Sequence, residues 1–298
     1  MESLVSLRGI RRLDFTFAPR ATMLAQPYHG SAWRGAFGHA LKRMVCAMRL
    51  RPCEGCALSA VCIYPQFFGA DPPGEASRPY ILCPDRAPPD GLIRAGLPFR
   101  LRMTLLPAAA PVAPYAVRAL LAAAANGLTA RRIALDCLDI RDVATGLPID
   151  PAALLPEEPL PAHCPPAPSA VRLHLRTPLR LRLRGDLLTG RSLMPGHVVA
   201  AAIRRLRGLG LALSEGLAEA ARREAATLRF DAPRLGWLET TRFSTRQNTL
   251  MRLGGIVGEA TLDLRQAPHV WPLLWATSIL HLGKGASMGF GSIEAEAL

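Results

Sequence analysis

Four cysteines fall within residues 46–62 in the pattern C-x6-C-x2-C-x5-C: Cys46, Cys53, Cys56 and Cys62. Four thiolates suit a tetrahedral zinc ion, and Pro52 and Gly55 supply turns around the C-x-x-C pair. A site closed by four sulfurs leaves no position for a reacting water, so its role is structural. It would pin a segment without a core of its own to the helix before it. A second concentration of reactive types is "HLGKGASMGFGS" (281–292), in which Gly283, Gly285, Gly289 and Gly291 surround Lys284. Glycines permit positive φ and close backbone approach, and free N–H groups beside an ammonium suit a phosphate. A nucleotide loop, however, runs from strand to helix and carries Ser or Thr after its lysine. Here a helical pattern precedes and a strand pattern follows, with Gly285 and Ala286 after Lys284. That order argues against ATP or dinucleotide binding and leaves two readings, an RNA-facing loop or a tight connection.

"VRLHLRTPLRLRLR" (171–184) is the third feature. Val171, Leu173, Leu175, Leu179, Leu181 and Leu183 share one parity; Arg172, His174, Arg176, Arg180, Arg182 and Arg184 share the other. In a strand these sets face opposite sides, giving one apolar face and one basic strip without an acid. Thr177-Pro178 predicts a bend within it.

The elements that must position these groups follow from periodicity. A strand is expected at 9–18, then a helix at 31–48, where Trp33, Phe37, Ala40, Leu41, Met44 and Met48 recur at helical spacing. A cysteine- and proline-rich insert covers about 46–78. Strands are expected at 79–83 and 92–106, a helix at 112–125 ended by Asn126-Gly127, and a strand at 131–142. Prolines over about 148–168 mark a linker. The second half gives a strand at 171–184, a helix at 196–208, a hairpin from strands at 234–244 and 251–264, a helix at 267–283 and a last strand. Both halves read β-α-β-β-α-β. The expected fold is α+β, tandem ferredoxin-like (RRM-like) domains with antiparallel sheets, divided as 1–168 and 169–298.

Composition narrows the partner. The 298 residues carry 36 basic against 23 acidic side chains, a net charge of +13, which points to a polyanion. All but Lys42 and Lys284 of the basic residues are arginines, the better phosphate fork. Seven cysteines without a secretory leader point to the cytoplasm, and the absence of a long uncharged apolar run argues against a membrane partner.

Three segments carry a resemblance. "HLGKGASMGFGS" is similar to the C-terminal glycine-rich loop of the CRISPR-associated repeat-processing endoribonucleases of the RAMP superfamily. "RFSTRQNTLMRLGGIVGEATL" (242–262) resembles the segment preceding that loop in a subgroup of them, and "YHGSAWRGAFGHALKRMVC" with the cysteines after it resembles the subgroup's N-terminal motif. The resemblance implies cleavage of precursor CRISPR RNA within its repeats without a metal ion. The 2′-hydroxyl would attack the adjacent phosphate, leaving a 2′,3′-cyclic phosphate and a 5′-hydroxyl.

Such a reaction needs a base, an acid and cations on the phosphorane. The family places a histidine near the first loop or first helix, which makes His29 and His39 candidates, with Tyr28 a further base or orienting group and Arg34 and Lys42 as phosphate contacts. Arg242 and Arg246 flank an acid-free polar stretch that would clamp phosphate or else simply complete a strand edge. Arg172, Arg176, Arg180 and Arg182, with Lys284 and the four glycines of the loop, complete the expected RNA-binding set. No cofactor is expected for catalysis, and zinc only as a structural ion. CRISPR repeat RNA is the expected partner, alongside other CRISPR effector subunits. The rival role is a non-catalytic subunit that holds guide RNA in an effector complex.

Overall fold

The computed structural model describes residues 5, 7–25, 28–48, 52–69, 78–128, 131–151, 163–244 and 249–298, without the side chains of 242–251. Contacts divide the chain into two compact units. One is Gly9–Leu160; the other joins Pro161–Leu298 to Met1–Arg8, with Val5 bridging Leu213.

The first unit runs β1 (Arg11–Pro19), α1 (Gly30–Val45), α2 (Ile63–Phe68), β2 (Tyr80–Pro84), β3 (Phe99–Leu105), α3 (Ala113–Asn126) and β4 (Leu135–Asp142). Its sheet has the order β2-β3-β1-β4, antiparallel throughout. β1 is central because its alternation is clean: Leu13, Phe15 and Phe17 are fully buried, while Asp14 points away and pairs with Arg102 directly across β3 at 2.7 Å. The helices cover the apolar face. α3 and the 3-10 turn before it, Pro107–Asn126, are long and apolar enough to cross a membrane. Here Ala116, Val117, Leu120, Ala123 and Ala124 are spent on packing in the core with α1 and β4.

The cysteine-rich insert has an anchor that the sequence reading did not foresee. α2 lies inside it, and Phe67 is fully buried in an aromatic cluster with Phe37 of α1 (5.8 Å) and Tyr80 of β2 (5.3 Å). Phe68 lies over Gly38, where a Cβ would stand 2.8 Å from the ring. The insert is therefore anchored in the core of the first unit. Among the described residues no three Cys, His, Asp or Glu side chains come together as a metal site. Cys46, Cys56 and Cys62 instead line a largely apolar cavity of 300 Å³ with Val45, Met48, Leu58, Val61 and Tyr115, and all four cysteines are free thiols.

The second unit runs β5 (Ala170–Leu179), α4 (Pro195–Gly208), α5 (Glu215–Thr227), β6 (Asp231–Leu238), β7 (Thr241–Ser244), β8 (Thr249–Arg252), β9 (Gly255–Asp263), α6 (Trp271–Leu280) and β10 (Ile293–Ala297). The sheet order β6-β9-β5-β10 repeats the first unit's plan, so both are ferredoxin-like. β7 and β8 extend the β6–β9 hairpin beyond the sheet. α5 is an addition to the expected order. Ser214 caps it by accepting from the Leu217 amide at 3.1 Å, and its buried face is mostly alanine (Ala218, Ala221, Ala225), a periodic signal too faint to read from sequence.

If aromatic packing holds the insert, Phe67→Ala should lower the stability of the first unit by about 3 kcal/mol, read as a fall in the urea midpoint. An unchanged midpoint would mean that something other than this cluster anchors α2.

Candidate active site

Burial separates the two histidines of the first unit. Trp33, Phe37 and Leu41 turn one face of α1 into the core, where Trp33 stacks on Phe17 at 5.0 Å. His29, at the N-cap of α1, goes in with them. It is 7% exposed, its ring lies 5.9 Å from Phe99, and neither ring nitrogen has a hydrogen-bond partner among the described residues. Burial lowers its pKa to about 4, although the charge of Asp85 acts the other way. Tyr28 is buried too, its hydroxyl 4.0 Å from the Cys83 sulfur, and burial raises its pKa well above the ordinary phenol value. Tyr28 and His29, expected to present working groups to a substrate, are thus both buried.

His39 lies on the opposite side of α1 and is exposed. It lines a cleft of 340 Å³ between α1 and the end of α3, together with Ala36, Ala40, Arg43, Ala123, Asn126, Gly127 and Arg132. Arg43 follows His39 by one helical turn. Arg132 comes from the turn after α3, held at φ 49° inside a two-way backbone bridge between Leu128 and Ile133. Gly127 makes that turn possible: it has φ 87°, and a Cβ there would stand 2.9 Å from the Arg132 Cα, with the Arg132 carbonyl closer still. Neither Arg43 nor Arg132 has a carboxylate partner among the described residues. The cleft thus offers an imidazole and two uncompensated guanidiniums. Sequence reasoning missed both arginines: helical spacing does not single out Arg43, and Arg132 joins the cleft only through the Gly127 turn.

Arg34 and Lys42 face elsewhere. The Arg34 guanidinium lies 5.2 Å from the Phe68 ring and the Lys42 ammonium 5.5 Å from the Tyr64 ring, so both cations sit over the aromatic rings of α2.

In the second unit the basic strip of β5 is not bare, which corrects the expectation of an acid-free face. Arg172 meets Glu296 at 3.6 Å, His174 meets Glu296 at 3.0 Å and Glu259 at 3.6 Å, and Arg176 meets Glu294 at 2.7 Å. The acids come from β9 and β10, far along the chain, so the strand's own pattern concealed them. Arg180 donates to the Gly254 carbonyl and Arg182 to that of Gly185 at 3.0 Å.

The glycine-rich loop is clamped onto the end of β5. Thr177 donates to the Gly289 carbonyl at 2.7 Å and accepts from the Ser292 amide at 2.9 Å, while the Lys284 amide donates to Arg180 O. Gly283, Gly285, Gly289 and Gly291 all have positive φ. At Gly291 a Cβ would stand 2.8 Å from the Leu282 carbonyl carbon. The glycines are thus demanded by the turn itself, and only Lys284 and Gly283 are well exposed. His281 caps α6 at φ 54°, with Nδ1 3.2 Å from Phe290 O. The side chain of Arg242 and all of Arg246 lie outside the described residues.

A family model described as CRISPR-associated endoribonuclease Cas6 matches residues 173–293, and one described as an N-terminal domain matches residues 7–153. Most of the second unit thus matches the Cas6 endoribonuclease family. Solved Cas6 structures share its fold across both units. A Cas6 product complex is 16% identical with a TM-score of 0.62, covering 96% of this chain and 98% of that one. Cas6 of Thermus thermophilus is 15% identical with a TM-score of 0.57, covering 97% and 98%. A partial Cas6-RT-Cas1–Cas2 complex is 12% identical with a TM-score of 0.61, covering 99% of this chain and 47% of the other. No curated protein matches the sequence.

The burial of His29 has a measurable consequence. Its folded pKa of about 4 lies below the unfolded value near 6.5, so the unfolded state binds the extra proton between those limits. Stability should be full above about pH 6.5 and fall by roughly 3 kcal/mol as pH drops toward 4. In His29→Phe this part of the pH dependence, followed by denaturant unfolding of the first unit, should disappear. An identical pH profile in the variant would place the titration elsewhere.

Proposed function

We propose that this chain is a Cas6-type endoribonuclease that cleaves precursor CRISPR RNA within its repeats at the α1–α3 cleft, with His39 as the proton-transfer group. The observation that carries this reading is the exposure of His39 beside two arginines that have no carboxylate partner among the described residues, while the other first-loop candidates are buried. A further support is that solved relatives include Cas6 bound to a product and a histidine-to-alanine mutant of a Cas6 protein.

The neutral imidazole accepts the proton of the 2′-hydroxyl as its oxygen attacks the adjacent phosphorus in line. The new 2′-O–P bond replaces the bond to the 5′-oxygen, giving a 2′,3′-cyclic phosphate and a leaving 5′-oxygen that takes up a proton. Arg43 and Arg132 stabilise the charge that builds on the phosphorane oxygens, where hydrogen-bonded cations have their largest effect. Because the substrate carries its own nucleophile, no metal-bound water is needed. Lys284 contacts the RNA backbone from the second unit. The surroundings are the cytoplasm, where free thiols persist. The resemblance in fold to the Cas6-RT-Cas1–Cas2 complex supports work alongside other CRISPR proteins.

His39→Ala should slow single-turnover cleavage of repeat RNA by about 10²- to 10⁴-fold while affinity changes far less. Arg132→Ala should slow it as well, and EDTA should have no effect. A 2′-deoxy substitution upstream of the cut should abolish cleavage. Wild-type rates in His39→Ala would remove His39 from the mechanism, and cleavage of the 2′-deoxy substrate would rule out internal attack.

A further inference from the structure

Trp237 stands on β6, the edge strand of the second unit's sheet, and is 44% exposed. Single exposed apolar side chains are common and need no function. This one differs in how firmly it is placed. Its indole N–H donates to the Glu239 carboxylate at 3.1 Å. Its edge lies against Gly254, where a Cβ would stand 2.7 Å from Trp237 Cε2, closer still to Nε1, and 2.6 Å from the Glu239 oxygen. Gly254 has no positive φ that would require glycine, so the missing side chain is explained by the ring and carboxylate that occupy its space.

The same residue gathers a cation. The Arg180 guanidinium donates to the Gly254 carbonyl, and Glu239 is near enough to act on its charge. An oriented indole with a large open area thus adjoins an anchored guanidinium. Aromatic faces beside cations hold single-stranded nucleic acid, since every base offers a π-face and every linkage a phosphate.

We propose that Trp237 is a stacking platform for one unpaired base of the RNA substrate, with Arg180 receiving the phosphate next to it. This rests on the reading that the chain binds repeat RNA, and it adds a contact in the second unit that is separate from the His39 cleft. It makes Trp237 a residue that selects where an unpaired nucleotide sits relative to the cut.

The test is a mutant cycle on the full chain. Repeat RNAs with one base at a time replaced by an abasic ribose are titrated against wild type, Trp237→Ala and Trp237→Phe. For wild type, one unpaired position should lose about tenfold in affinity on base removal. Trp237→Ala should lose the same tenfold on intact RNA and nothing further at that position, while Trp237→Phe keeps most of the affinity. Additive losses at every position, or Trp237→Ala binding every RNA as wild type does, would overturn the proposal while leaving the RNA reading intact. Failure of wild type to bind any repeat RNA would overturn both. Loss of a protein partner by Trp237→Ala with RNA affinity unchanged would reassign the platform to protein recognition and overturn it too.

Discussion

Burial of one face of α1 is the constraint on which the first unit depends. Trp33, Phe37 and Leu41 are fully buried against β1 and β2, and each large side chain so placed contributes about 2–3 kcal/mol. A helix cannot turn about its axis without exposing that face. The rotation therefore decides which side chains meet solvent: it drives His29 into the core, turns His39 outward with Arg43, and directs Arg34 and Lys42 over the rings of α2. Phe37 also ties the cysteine-rich insert to the same helix through Phe67 and Tyr80.

Backbone geometry plays the corresponding part in the second unit. The four glycines of the last connection adopt positive φ, and the loop closes on Thr177 and Arg180 at the end of β5. Thr177-Pro178, which reads as an interruption of the strand, is the docking point for that loop. Electrostatics there is a matter of register: Glu294 of β10 and Glu259 of β9 fall opposite His174, Glu296 falls opposite Arg172, and Glu294 reaches diagonally to Arg176.

Periodicity made much of the architecture legible. Alternation in β1 and β5 and the helical spacing of α1, α3 and α4 are local patterns, and the βαββαβ order follows from them. The central helices and strands stand within a few residues of the expected positions. α5 escaped because alanine carries little hydrophobic contrast, and the anchoring of the insert escaped because its aromatic partners, Phe37, Phe67 and Tyr80, are spread over three elements.

The sequence by itself determined the fold class, the excess of positive charge and the pair of histidines worth weighing, because each rests on composition or on spacing along one segment. Only the tertiary structure buried His29 and exposed His39, set acids against Arg172, His174 and Arg176, brought Arg132 beside α1 through the Gly127 turn, and laid Trp237 on Gly254. Those outcomes depend on which distant residues share a face or fill the space of a missing Cβ. Such relations arise from packing and register, and no local pattern encodes them.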